Sequence, residues 1–152
     1  MYYLVYISHS VKPFTLAGLK KLLIHCRDNN IDNGITGILL YIEGKFVQIL
    51  EGKREKVKVL FEKIKRDRRH SEISRILEGP IDYRNFPNFS MGFFTMDDQA
   101  FTRLSGYKDI KEFFRYPNVE YADHPAIKFL RTFKDRETSD DENLENESKE
   151  EE

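Results

Sequence analysis

Residues 29–52 read NNIDNGITGILLYIEGKFVQILEG. A polar, Asn-rich stretch passes into an apolar run, the chain turns at Glu43-Gly44, and a second apolar run returns. Two β-prone runs on either side of a short turn are the signature of a β-hairpin, here Ile35 to Ile42 and Lys45 to Leu50, with Glu51-Gly52 expected to break it. Gly37 leaves room on the first strand for close approach of a backbone, a helix or a ligand. Gln48 is out of place, flanked by Phe46, Val47, Ile49 and Leu50. A buried amide costs about 1–3 kcal/mol when its hydrogen bonds go unmade, so a partner is required.

Upstream, residues 2–8 (YYLVYIS) are aromatic and β-branched and predict a first strand. Its period of two sets Leu4, Tyr6 and Ser8 on one face and Tyr3, Val5 and Ile7 on the other. Thr15 then caps a helix with an apolar stripe of Leu16, Leu19, Leu22, Leu23 and Cys26. That helix is expected to end between Arg27 and Asn30, and Asn33-Gly34 closes the turn. Downstream, Val57, Leu60, Phe61 and Ile64 keep the i, i+3, i+4, i+7 spacing of a second helix. It ends in a basic run containing Lys63, Lys65, Arg66, Arg68 and Arg69, followed by His70. A fourth strand is predicted across Ile73 to Asp82 and a short fifth across Phe89 to Thr95.

The order βαββαββ predicts an α+β, ferredoxin-like sandwich, a mixed sheet with both helices on one face. Strands one and three are neighbours in that topology, and Met91 on strand five is expected beside one of them. Beyond Asp97, Gln99 to Leu104 and Tyr107 to Phe114 read as short helices. A last helix starts near Asp123, with Pro125 in its first turn. These C-terminal helices are expected to cap the other face of the sheet. Three segments follow: a sheet-bearing domain over 1–96, a helical cap or relay over 97–136, and an acidic disordered tail over 137–152.

Charge supports that division. The tail carries nine acids against one lysine, so a net charge of -1 overall conceals a body of +7. A chain so polar cannot offset its ordering entropy by burial. A basic body suits an anionic partner, or is simply a solvated surface. With one cysteine, Cys26, there is no disulfide framework, and no run is apolar for long enough to cross a bilayer. The opening residues also lack the charged start of a secretory signal. A soluble, cytoplasmic protein is expected.

Metal chemistry has no support in the spacing of His9, His25, His70, His124 and Cys26. His25 and Cys26 are adjacent on a helix and point to different sides, which disfavours a nucleophilic pair. No glycine-rich phosphate loop is present. Two other classes share the topology: RNA-binding sheets, whose glycine and aromatic spacing is missing here, and small acylphosphatase-like hydrolases, for which Ser8-His9-Ser10-Val11 is a poor phosphate cradle. The polar residues offer a third reading. Tyr6 and Gln48 on adjacent strands, with Asn29 and Asn30 at the end of the first helix, bring a phenol and amides to one cleft. Such a set suits a flat heterocycle with alternating donors and acceptors. The plainer alternative keeps Tyr6 as ordinary core and pairs Gln48 with a backbone group.

Five segments bear on that choice: LVYIS at 4–8, RDNNIDNGITGILLY at 27–41, GKFVQILEG at 44–52, DRRH at 67–70 and FSMGF at 89–93. In content, order and spacing they resemble the BLUF domains, blue-light sensors that use FAD, across about residues 2–95. The resemblance implies a flavin ring between the two helices. Asn30, assisted by Asn29, would bond its pyrimidine edge, Ile24 would line it, and Lys63, Arg69 and His70 would complete the flavin-binding set. Tyr6 would be the light-driven donor of an electron and a proton, Gln48 the bridge between phenol and flavin, and Met91 the link to the output. Many family members carry Trp two residues before that methionine; here it is Phe89, and the chain has no Trp. By the same resemblance this is a short photoreceptor rather than an enzyme. It would signal to an unidentified downstream protein, form a homo-oligomer, and use neither a membrane nor nucleic acid.

Overall fold

The computed structural model describes residues 1–42, 44–87, 90–95, 107–109, 125–126 and 128–132. Its elements are β1 (Tyr2–Ser10), α1 (Leu16–Asn33), β2 (Thr36–Ile42), β3 (Lys45–Gly52), α2 (Arg54–Lys65), β4 (His70–Pro80), β5 (Gly92–Thr95) and β6 (Tyr107–Asp109). The sheet runs β4-β1-β3-β2-β5-β6. The first four strands pair antiparallel, whereas β5 joins β2 and β6 joins β5 in parallel. This is the ferredoxin-like, mixed-sheet sandwich expected from the βαββαββ pattern. The chain divides into two units, Met1–Arg115 and Tyr116–Glu152. The described part of the second unit is helical at residues 125–126 and 128–132.

Each helix begins and ends for a local reason. Thr15 is extended, and its hydroxyl accepts from the Gly18 N–H at 3.0 Å, so an otherwise unpaired donor of the first turn is satisfied. Gly34 takes the left-handed conformation (φ 64°) and its N–H turns back to the Asn30 and Ile31 carbonyls. The amphipathic pattern of α2 buries Val57 and Phe61. These side chains meet Tyr2, Leu4, Leu19, Leu23, Leu39 and Leu50 in a core between the helices and one sheet face. The opposite face is apolar too, and Val5, Leu40, Val47 and Ile49 are wholly buried there. Gly37 sits where a Cβ would fall 1.8 Å from the Ile49 carbonyl oxygen, so close strand approach demands glycine at that point.

Besides shifts of one to three residues at the ends of β1, β2, β4 and β5, the structure departs from expectation in four places. α1 continues through Asn33, because the Gly34 cap, and not the polar Asn pair, ends it. β3 continues through Glu51-Gly52, since the Glu51 side chain is fully buried and bonded. β5 lies against β2, with Ile38 opposite Gly92, and not beside strand one or three. Tyr107–Asp109 forms a strand where a helix was expected, drawn into the sheet by pairing with β5. Phe89, the remaining C-terminal helices with their capping role, and the acidic tail lie outside the described residues.

Candidate functional site

Register places the first two site residues together. Tyr6 on β1 is directly opposite Gln48 on β3, both facing the helices and both almost fully buried. The Tyr6 hydroxyl donates to Gln48 Oε1, and Gln48 Nε2 donates to Met91 Sδ at 3.4 Å. A phenol that keeps its proton needs an acceptor, and a thioether can only accept, so both contacts favour this one amide orientation. Burial holds the Tyr6 pKa well above the usual phenol value, with Cys26 and Asp67 adding to the effect. The ring packs against Phe61 at 5.5 Å between centroids.

Above this pair lies a cavity of about 140 Å³ between α1 and α2. Leu22, Leu39, Phe46, Leu60 and Ile64 give it apolar walls, with Phe14 at one side. Asn29 and Asn30 supply amides from the last turns of α1. Asn30 is 1 % exposed, and one of its two amide protons goes to the Ser90 carbonyl at 2.6 Å. Its neighbour Arg27, which lies outside the predicted set, donates to the Met91 carbonyl at 3.0 Å. Met91 is thus held by α1 as well as by β3.

The basic residues divide. Lys63 lines the cavity. Arg69 also lines it, but its guanidinium is engaged by Asp67 at 2.5 Å, which lowers the aspartate pKa through hydrogen bonding to Arg69. His70 has both ring nitrogens occupied: Nδ1 lies 2.8 Å from Ser8 Oγ and Nε2 lies 2.8 Å from the Ile64 carbonyl. A carbonyl can only accept, so Nε2 carries the proton and Nδ1 accepts from the serine. His70 therefore tethers α2 to β1 and offers the cavity a ring edge rather than a free nitrogen. Ile24 is 49 % exposed and is not among the lining residues; His25 and Cys26 occupy that wall instead. Burial pushes the Cys26 thiol up to about 11. No His, Cys, Asp and Glu cluster suited to a metal occurs among the described residues.

Sequence reasoning missed Ser8, Arg27, Glu51 and Arg84. Ser8 and Glu51 were visible as polar residues at buried strand positions, the same anomaly that marks Gln48. Arg27 and Arg84 act through long side chains on distant backbone, and no local pattern announces that.

An apolar slot edged by amides, floored by a phenol and an amide, and flanked by a lysine suits a flat, hydrogen-bonding ring with a polar tail. The fold and this donor set define a binding domain for an aromatic heterocycle, and an isoalloxazine fits that description. The chain belongs to the BLUF family, sensors of blue-light using FAD, whose model matches residues 1–92. The family's cofactor is FAD. A photoactivated adenylate cyclase subunit beta from Euglena longa is 36% identical over 84 residues, covering 55% of this chain and 10% of that protein. The chain thus spans about a tenth of the length of this curated relative. Among solved structures, BlsA in its ground state is 37% identical with a TM-score of 0.61, over 63% of this chain and 65% of that one. BlrB, a BLUF protein in its dark state, is 31% identical with a TM-score of 0.60, over 83% of this chain and 87% of that one.

Proposed function

We propose that this chain is a blue-light photoreceptor whose switch is the run of contacts from Tyr6 through Gln48 to Met91. That run is the observation that carries the reading. Asn29 and Asn30 would bind the pyrimidine edge of the flavin, and Lys63 and Arg69 its polar flank, while His70 orders the wall between them. A flavin held there would supply, under blue light, the oxidant for the phenol. The Tyr6 phenol is poised for oxidation coupled to proton loss, because it holds its proton tightly in the dark and has one acceptor in place. Gln48 Oε1 would take that proton, and when the electron and a proton return to the phenol the amide would be left neutral but rotated or tautomerised, its contact with Met91 Sδ replaced. The rearranged network is the output, and no substrate is turned over.

Met91 leads directly into β5, so a change at Gln48 would reach the strand beside the edge strand β6 and, from there, a partner protein. Relatives whose names describe cyclases suggest that such partners are effectors. Homo-oligomerisation and a cytosolic setting complete the proposal; no helix among the described residues is long and apolar enough to cross a membrane. The test is Tyr6→Phe. The variant should bind flavin as well as the parent and lose the reversible red shift under blue light. A normal shift in that variant overturns the assignment.

A further inference from the structure

Glu51 and Gln48 share β3 but, three positions apart, face opposite sides of the sheet. The Glu51 carboxylate is completely buried. It accepts three N–H donors: the Asn85 backbone at 3.0 Å and Asn85 Nδ2 at 2.7 Å on one oxygen, and the Phe86 backbone at 3.0 Å on the other. Arg84, the residue before them, donates to the Thr36 hydroxyl at 2.8 Å, the Glu51 carbonyl at 2.9 Å and the Gly34 carbonyl at 2.6 Å. Residues 84–86 are thereby fastened to the ends of α1, β2 and β3 together.

The other end of the same segment is Ser90-Met91. There Asn30 holds the Ser90 carbonyl, Arg27 the Met91 carbonyl, and Gln48 the Met91 sulfur. Four residue steps separate Phe86 from Ser90, a reach of about 14 Å at full extension. The chain is thus anchored on both sides of this short stretch, at Asn85-Phe86 and again at Ser90-Met91. A buried carboxylate is costly unless its partners are fixed, and these three N–H groups fix it.

We infer that Glu51 is a positioning residue for the light switch: by clamping Asn85 and Phe86 on the far face of β3, it sets where Met91 Sδ meets Gln48 Nε2 on the near face. The consequence for signalling rests on the photoreceptor reading above, but the clamp itself does not. Glu51→Gln keeps the acceptor for Asn85 but turns an NH₂ group toward the Phe86 N–H. Asn85→Ala removes one donor and leaves both backbone bonds.

The experiment uses the full chain labelled with ¹³C-methyl methionine, in flavin-loaded and flavin-free forms, with the Met91 signal assigned by Met91→Leu. Glu51→Gln should retain flavin, shift the Met91 methyl resonance in the dark, and change the rate of dark recovery by about tenfold. Asn85→Ala should shift the same resonance and change recovery about threefold. A Met91 methyl signal at its parental position, with recovery within about twofold in both variants, overturns the inference, even when their melting temperatures fall. If Glu51→Gln does not fold, Asn85→Ala decides by the same readings. If the parent shows no red shift at all, the photoreceptor reading fails, and the Met91 resonance in the dark still decides the clamp.

Discussion

Gln48 and Glu51 are both polar, both on β3 and both almost completely buried, at 3 % and 0 % exposure. Their surroundings differ in kind. Glu51 can only accept, and it meets three N–H donors held by the backbone and side chain of one loop. Flipping the carboxylate exchanges two equivalent oxygens and changes nothing for those partners. Gln48 accepts from a phenol and donates to a sulfur at 3.4 Å, a weak acceptor. Rotating its amide exchanges donor for acceptor without moving the backbone. Burying a polar group in this sheet therefore serves two ends: over-satisfied, it anchors; loosely satisfied beside a cavity, it can switch.

Substitution by leucine at each site exploits that difference. Glu51→Leu strands three buried donors at about 1–3 kcal/mol each, so the chain should lose roughly 3–9 kcal/mol of stability. Chemical denaturation measures it, and a loss below about 1 kcal/mol would make the two sites alike. Gln48→Leu should change stability by only about 1 kcal/mol in either direction, because the Tyr6 hydroxyl loses its acceptor while an amide is replaced by a well-packed hydrophobe. Flavin should remain bound and the light-induced shift should vanish. A retained shift would remove Gln48 from the switch.

How far the sequence could be read follows the same contrast. Period two in β1 and β3 was enough to put Tyr6 and Gln48 on one face of adjacent strands, and the helical spacing of Val57, Leu60, Phe61 and Ile64 was enough to roof them. Those are local regularities, and the ferredoxin-like order followed from them. The side of the sheet to which β5 adds was not legible: only the pairing of Ile38 with Gly92 fixes it. Glu51 was read as a strand breaker because a carboxylate next to glycine favours turns. The donors that make it a core residue lie 34 and 35 positions away, at Asn85 and Phe86. His70 lies in the cavity wall, yet its bonds to Ser8 and Ile64 leave it no free nitrogen, and no spacing rule encodes that.

The smallest expected effect isolates the proton that Gln48 is placed to receive. Burial raises the Tyr6 pKa well above its ordinary value in the folded chain, while the unfolded chain ionises near ~10. The folded state therefore keeps its proton where the unfolded state loses one. Stability from this group is fully present below pH ~10 and declines as pH rises toward the folded pKa. At pH ~10.3 the decline should be about 0.6 kcal/mol, steepening toward ~1.4 kcal/mol per pH unit above it. Tyr2 and Tyr3 are shifted in the same direction, so the parent alone cannot assign the slope. The difference between parent and Tyr6→Phe in urea melts at stepped alkaline pH can. An identical slope in both would mean that Tyr6 ionises in the folded chain as freely as in water, and a phenol so loosely protonated would not need Gln48 as its acceptor.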